Sequence, residues 1–151
     1  MIRILFVCHG NICRSPMAEF VFRDMVQKRG LEDSFLIASA ATSREEQGNP
    51  VHYGTRNKLR ECGILTEGKY STPLKKRDYD KYDYLIGMDQ WNITNIKRII
   101  GGDPEKKVRK LLDFTEDSRD IADPWYTGDF DKTYKDVYSG CQALLDFILE
   151  Q

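Results

Sequence analysis

The sequence predicts a single-domain α/β fold, with a parallel sheet covered by helices on both faces and a short glycine-containing loop after the first strand. Three features carry that expectation. Short apolar runs alternate along the chain with segments whose apolar residues recur every three or four positions, the pattern of strands alternating with helices. One stretch, Val7-Cys8-His9-Gly10-Asn11-Ile12-Cys13-Arg14-Ser15-Pro16, joins the first strand-like run to the first helical one. The length of 151 residues suits one core without staples, so residues 1–151 are expected to form one domain.

In chain order, residues 2–7 read as a buried strand. Ser15-Pro16 opens a helix, proline suiting its first turn, and Met17, Ala18, Val21, Phe22, Met25 and Val26 carry it to a stop at Gly30. Residues 34–38 give a second strand, and the polar stretch through Gly48-Asn49-Pro50 a loop. A weakly amphipathic helix follows over 52–62, with His52 as a helix-start side chain and Cys62 as a small buried residue. Residues 66–81 are charged and irregular, and the run Lys75-Lys76-Arg77 reads as a solvated face. A third strand is expected over 82–88, and Asp89 is a natural N-cap for the helix that ends near Gly101-Gly102. A fourth strand is expected over 108–114, with Leu111 and Leu112 facing a core. After an irregular stretch containing Asp123-Pro124-Trp125-Tyr126, Phe130, Tyr134, Val137, Tyr138, Cys141, Leu144, Leu145 and Ile148 trace one face of a C-terminal helix. Ligands of such sheets bind beyond the carboxyl ends of the strands, where Cys8, Asp89 and Asp123 are all assigned.

Composition narrows the function classes. With 23 basic and 24 acidic residues and a formal net charge of −1, nothing suggests bulk attraction to nucleic acid or membrane, so any anion recognition must be local. The apolar run 4–8 is too short for a signal-peptide core or a membrane span, which predicts a soluble, cytoplasmic protein. Cysteines 8, 13, 62 and 141 are spaced like reduced thiols, not like a secreted disulfide framework. A zinc site at Cys8 and Cys13 lacks a second ligand pair, and no metal or cofactor is expected.

The loop carries the chemistry. Between a strand and a helix N-terminus, successive backbone N–H groups can converge on an anion, the helix dipole adds partial positive charge, and Arg14 can fork two donors onto phosphate-like oxygens. That field favours thiolate over thiol at Cys8. A thiolate in an anion cradle suits displacement at phosphorus through a phosphocysteine. The leaving oxygen then needs a proton, and Asp123, held by Pro124 and flanked by two aromatic residues, is the best donor outside the loop. Read alone, Asp123-Pro124 is more simply a turn, since Asp-Pro is common in turns.

CHGNICRSP resembles the active-site loop of the low-molecular-weight protein tyrosine phosphatases, and DPWY resembles their general-acid loop. SAATS followed by GNP, and YDYLIGMDQWN, are similar to family segments in the same order, so the resemblance spans nearly the whole chain. It implies a four-stranded parallel sheet and metal-independent hydrolysis of phosphotyrosine on proteins and of small aryl phosphates. By position it implies Cys8 as nucleophile, Arg14 as ligand of the phosphoryl oxygens, and Asp123 as acid and then base. His9, Gly10, Asn11, Ile12, Cys13 and Ser15 complete the phosphate-binding loop, Asn11 shaping it and Ser15 donating to the Cys8 sulfur. Trp125, Tyr126 and, on the rim, Glu45 fall in the substrate cleft, and Asp89 aligns with a family aspartate near the loop. Cys13 matches a cysteine that pairs with the nucleophile under oxidation. The implied partner is a tyrosine-phosphorylated protein, and the implied state a monomer.

Three positions depart from the family pattern. Glu45 stands where relatives often carry an aromatic residue, Lys69 where many carry a histidine supporting the loop asparagine, and Thr72 where an arginine is common. Arsenate reduction on the same fold wants a further cysteine pair after the third strand, and residues 87–114 contain none. A non-catalytic phosphoprotein binder is disfavoured by the joint presence of Cys8, Arg14, Ser15 and Asp123. A Walker loop is excluded by the missing Gly-Lys-Ser/Thr end.

Overall fold

The computed structural model describes residues 1–151. One four-stranded sheet organises the molecule, built from β1 (Ile2–Cys8), β2 (Phe35–Ala41), β3 (Tyr84–Gly87) and β4 (Val108–Lys110), all parallel, in the order β2-β1-β3-β4. The helices are α1 (Arg14–Lys28), α2 (Tyr53–Glu61), α3 (Asp78–Lys81), α4 (Gln90–Ile100), α5 (Pro124–Thr127) and α6 (Phe130–Leu149). This is the expected architecture, with helices on both faces.

Alternation along β1 decides which helix covers which face. Ile4, Phe6 and Cys8 project into a core shared with Met17, Val21 and Phe22 of α1 and Val137, Leu144 and Leu145 of α6. Leu5 and Val7 project the other way, onto Tyr79 of α3 and Ile93, Ile96 and Ile100 of α4. The chain therefore leaves β1 towards one face and β3 towards the other. The two strands are neighbours, with Val7 opposite Gly87, so a crevice opens between their carboxyl ends. Cys8 ends one of those strands, and Asp89 follows the other.

Several boundaries differ from the sequence expectation for identifiable reasons. β2 extends to Ala41, because Ser39, Ala40 and Ala41 pair with Phe6, Val7 and Cys8 although small residues carry little strand signal. β3 starts two residues late, since the Tyr82 N–H is taken by the Asp78 carbonyl at the end of α3. β4 stops at Lys110, whose N–H turns to the Asp113 carboxylate at 3.1 Å; residues Leu111–Phe114 form a 3₁₀ turn that still buries Leu111 and Leu112. Cys62 is exposed, not buried, because the buried face of α2 is Thr55 and Leu59 and Cys62 is its C-cap. No helix is long and apolar enough to cross a membrane.

Candidate active site

The loop after β1 has all but one of its carbonyls committed to the protein. The Cys8 and His9 carbonyls accept from the N–H groups of Thr42 and Ser43, both at 3.0 Å, and the Ile12 carbonyl from the His52 N–H at 2.8 Å. Gly10 and Cys13 carbonyls accept from the hydroxyls of Ser71 at 2.7 Å and Thr55 at 3.1 Å. By contrast, the N–H groups of His9, Gly10, Asn11, Ile12 and Cys13 donate to no protein acceptor. Amides left unpaired in a largely buried loop are costly unless a ligand completes them. The polarity of the loop is that of an anion cradle.

Asn11 makes this shape possible. Its φ of 57° lies in the left-handed region, which asparagine tolerates better than most residues. Its side chain fixes that turn by donating to Ser15 Oγ at 2.7 Å and Ser39 Oγ at 2.9 Å while accepting from the Thr72 N–H at 3.1 Å. Ser15 in turn stands 3.0 Å from Cys8 Sγ through Oγ, and 3.4 Å through its N–H.

Behind Asn11 lies a buried ionic cluster that the sequence did not reveal. Ser39 Oγ donates to Glu19 at 2.5 Å, and Glu19 is held by Arg23 at 2.7 Å and lies 3.6 Å from Lys69. Lys69 does not reach Asn11 itself; its Nζ donates to the Ser39 carbonyl at 2.8 Å. Burial pulls the Lys69 ammonium below its ordinary value, and Glu19 opposes that pull. The cation therefore supports the loop through Ser39, and Thr72 contributes a backbone N–H, not a side chain.

Arg14 is only 2% exposed and is gripped from two loops. Its Nη1 donates to Asp89 at 2.6 Å and to the Ile121 carbonyl at 2.8 Å, while Nη2 lies 3.4 Å from Asp123. Burial lowers the guanidinium, but Cys8, Asp89 and Asp123 outweigh it and its value is raised. Asp89 also caps α4, accepting from the Asn92 N–H at 2.7 Å, so the same carboxylate orients a helix and the arginine. Nη1 is fully occupied by this scaffold. The long contact leaves Nη2 as the readier donor for a ligand.

Asp123 is the N-cap of α5, with Pro124 as its first helical residue, and its Oδ1 accepts from the Trp125 N–H at 3.0 Å. A cleft brings together Cys8, His9, Gly10, Ile12, Cys13, Arg14, Glu45, Asp123, Trp125 and Tyr126. Asn11 and Ser15, buried behind the loop, do not line it. Burial, the Cys8 charge and Asp123 push the Cys13 thiol up to about 12. No three His, Cys, Asp or Glu side chains are grouped to hold a metal ion.

Two features escaped the sequence reading, one residue that lines the cleft and one contact behind it. Glu46 lines the cleft beside Glu45, and nothing in the polar stretch distinguished it. His52 caps α2 by accepting from the Gly54 N–H at 3.0 Å, stacks on Phe130 with ring centroids 5.3 Å apart, and meets Trp125 edge-on at 5.5 Å. Its N–H bond to Ile12 and its ring contact with Trp125 tie the loop after β1 to α5. A capping position in sequence predicts the first of these roles but not the second.

Comparison with known proteins agrees with this fold. The sequence model of the low molecular weight phosphotyrosine protein phosphatase family matches residues 3–151. The chain is 42% identical over 153 aligned positions to the low molecular weight protein-tyrosine-phosphatase YfkJ of Bacillus subtilis, covering 100% of this chain and 98% of that one. The crystal structure of YfkJ superposes with a TM-score of 0.95 over 99% of this chain and 96% of that one. This chain is 40% identical to the low molecular weight protein-tyrosine-phosphatase PtpA of Staphylococcus epidermidis, covering 99% of this chain and 96% of that one. The Streptococcus pyogenes enzyme SP-PTP gives 41% identity and a TM-score of 0.86, covering 97% and 92%. The chain belongs to the low molecular weight protein-tyrosine phosphatase family, a family of cysteine-dependent phosphatases.

Proposed function

We propose that this protein hydrolyses phosphotyrosine in proteins, and small aryl phosphates, through a phosphocysteine on Cys8. The observation that carries the reading is the loop after β1, in which the carbonyls of Cys8, His9, Gly10, Ile12 and Cys13 are engaged by the protein while five successive N–H groups, from His9 to Cys13, have no protein acceptor. In the first step the Cys8 thiolate attacks phosphorus and the bond to the phenolic oxygen breaks. The loop amides and Arg14 hold the three equatorial oxygens, and protonated Asp123 gives its proton to the departing phenol. In the second step the Asp123 carboxylate takes a proton from water, whose oxygen attacks phosphorus and returns Cys8 as thiolate. Ser15, 3.0 Å from the sulfur, donates to that thiolate in both directions. Trp125 and Tyr126 flank the ring of the substrate.

Cys13 belongs to the same reading as a guard against oxidation. Peroxide converts the Cys8 thiolate to a sulfenic acid, and the Cys13 sulfur displaces its hydroxyl as water to form a disulfide. Part of what holds the Cys13 thiol up to about 12 is the Cys8 charge, and that charge is gone once Cys8 is a neutral sulfenic acid.

The test is a rate comparison of Asp123→Asn with wild type across aryl phosphates, with chelator present. General acid catalysis contributes ~10²–10⁴-fold, and less where the leaving oxygen is a weak base. The variant should lose most activity on phosphotyrosine and least on strongly electron-withdrawing rings, with a flattened basic limb in its pH profile. An equal loss on every leaving group would place the proton donor elsewhere.

A further inference from the structure

Apart from Arg14, the side chains that line the cleft include no permanent cation, and Arg14 is buried and engaged with Asp89 and Asp123. Its rim, in contrast, carries two carboxylates. The Glu45 side chain is 76% exposed and its Oε2 lies 3.2 Å from His9 Nε2. In the tautomer with a proton on Nε2, the neutral ring donates to Glu45 and leaves its charge uncancelled. Glu46 packs over the loop, its Cγ 3.4 Å from where a side chain on Gly10 would begin, and it accepts from Asn49 at 2.6 Å. The turn bearing both is fastened at either end. The Ser43 N–H donates to the His9 carbonyl at 3.0 Å, and the Gly48 N–H to the carbonyl of Ser71, whose hydroxyl holds Gly10. The backbone that carries both carboxylates is therefore held beside the cradle.

Across the cleft stand Trp125, 56% exposed, and Tyr126, 83% exposed, two aromatic faces with no charge of their own. Aromatic faces attract ammonium and guanidinium groups, as carboxylates do. A phosphotyrosine entering the cradle lays its neighbouring residues across this rim. Like charges meeting there repel, and opposite charges steer the encounter.

We propose that Glu45 and Glu46 are specificity-determining residues that select phosphotyrosine sites flanked by lysine or arginine and disfavour sites flanked by acidic residues. The proposal rests on the reading of the cleft as a phosphotyrosine site and names the class of substrate that site takes.

Matched phosphotyrosine peptides, identical but for Lys, Gln or Glu on either side of the phosphotyrosine, test it with wild type and Glu45→Gln/Glu46→Gln. Wild type should rank Lys above Gln above Glu in kcat/KM, each cation adding about two- to fivefold, as exposed ion pairs do. The difference should lie in KM, and it should shrink as sodium chloride is raised. The double variant should collapse the ranking, and Glu45→Lys/Glu46→Lys should reverse it. Arg44→Gln, in the same turn but outside the cleft lining, should keep it. Equal kcat/KM on all three peptides, or a ranking that survives in the double variant, would overturn the proposal. No turnover of any peptide by wild type would overturn the underlying phosphotyrosine reading instead.

Discussion

Arg14 shows how one residue serves two masters. Its Nη1 is spent on Asp89 and Ile121, which leaves the rest of the fork to bind a phosphoryl group without any need to reposition the side chain. Lysine keeps the charge but has no planar fork, and cannot hold Asp89, Ile121 and a ligand together. Arg14→Lys should therefore lower kcat by about 10²–10³-fold, the usual cost of a lost transition-state donor. Steady-state kinetics on p-nitrophenyl phosphate checks this, and near-normal turnover would make Arg14 a structural residue. At this scale the sequence was most legible in the loop itself, because Cys8, Arg14 and Ser15 sit at fixed short separations on a strand-to-helix turn. It marked Lys69 as a departure near the loop asparagine but not its meeting with Glu19 and Ser39, which come from separate elements and come together only after folding. Nothing local marks a buried ion pair.

Between elements, the join of α2 to α5 is the contact with a measurable pH signature. Burial holds the His52 imidazole below its ordinary value of 6.5, with Glu46 pulling weakly the other way. The unfolded chain therefore binds more protons than the folded one in the window just below that value. Stability rises with pH through the window and is lost as pH falls through it. Thermal unfolding of His52→Asn should show a flatter dependence between about pH 7 and pH 5. Asparagine keeps the N-cap acceptor for the Gly54 N–H, so the variant should lose ring packing on Phe130 and Trp125 but not the helix start. An identical pH dependence in both proteins would remove His52 as the titrating group. Element types were legible because a continuous apolar run marks β1 and apolar residues recur every three or four positions in α1 and α6. Boundaries failed where a side chain captured a backbone group, as Asp113 does at Lys110, an event that periodicity does not encode.

On the scale of the whole molecule, the sheet order β2-β1-β3-β4 sends the connections after β1 and β3 to opposite faces and so opens the crevice that the loop, Asp89 and Asp123 share. Five amides of one loop lack protein partners, so an anion that completes them should stabilise the native state selectively. Inorganic phosphate at a hundred times its dissociation constant should add about 2.7 kcal/mol, or roughly 5–10 °C in the unfolding midpoint for a chain of this size. Calorimetry should find a much smaller shift in Arg14→Lys, and no shift in wild type would contradict the cradle. The alternation of strands and helices made the architecture legible in advance. The strand order did not follow from periodicity, because which strand lies beside β1 is settled by crossovers that no local pattern records.

The proposed reaction passes the phosphoryl group through the Cys8 sulfur. Asp123→Asn turning over p-nitrophenyl phosphate, a substrate whose leaving group needs little help, should form the phosphoenzyme faster than water removes it. Quenching in alkaline denaturant during turnover, followed by mass spectrometry of the peptides, should find one added phosphoryl group on the peptide containing Cys8, and none when Cys8→Ser is introduced as well. A phosphoryl group on His9, His52 or any other residue, or turnover that persists in Cys8→Ser, would contradict the account.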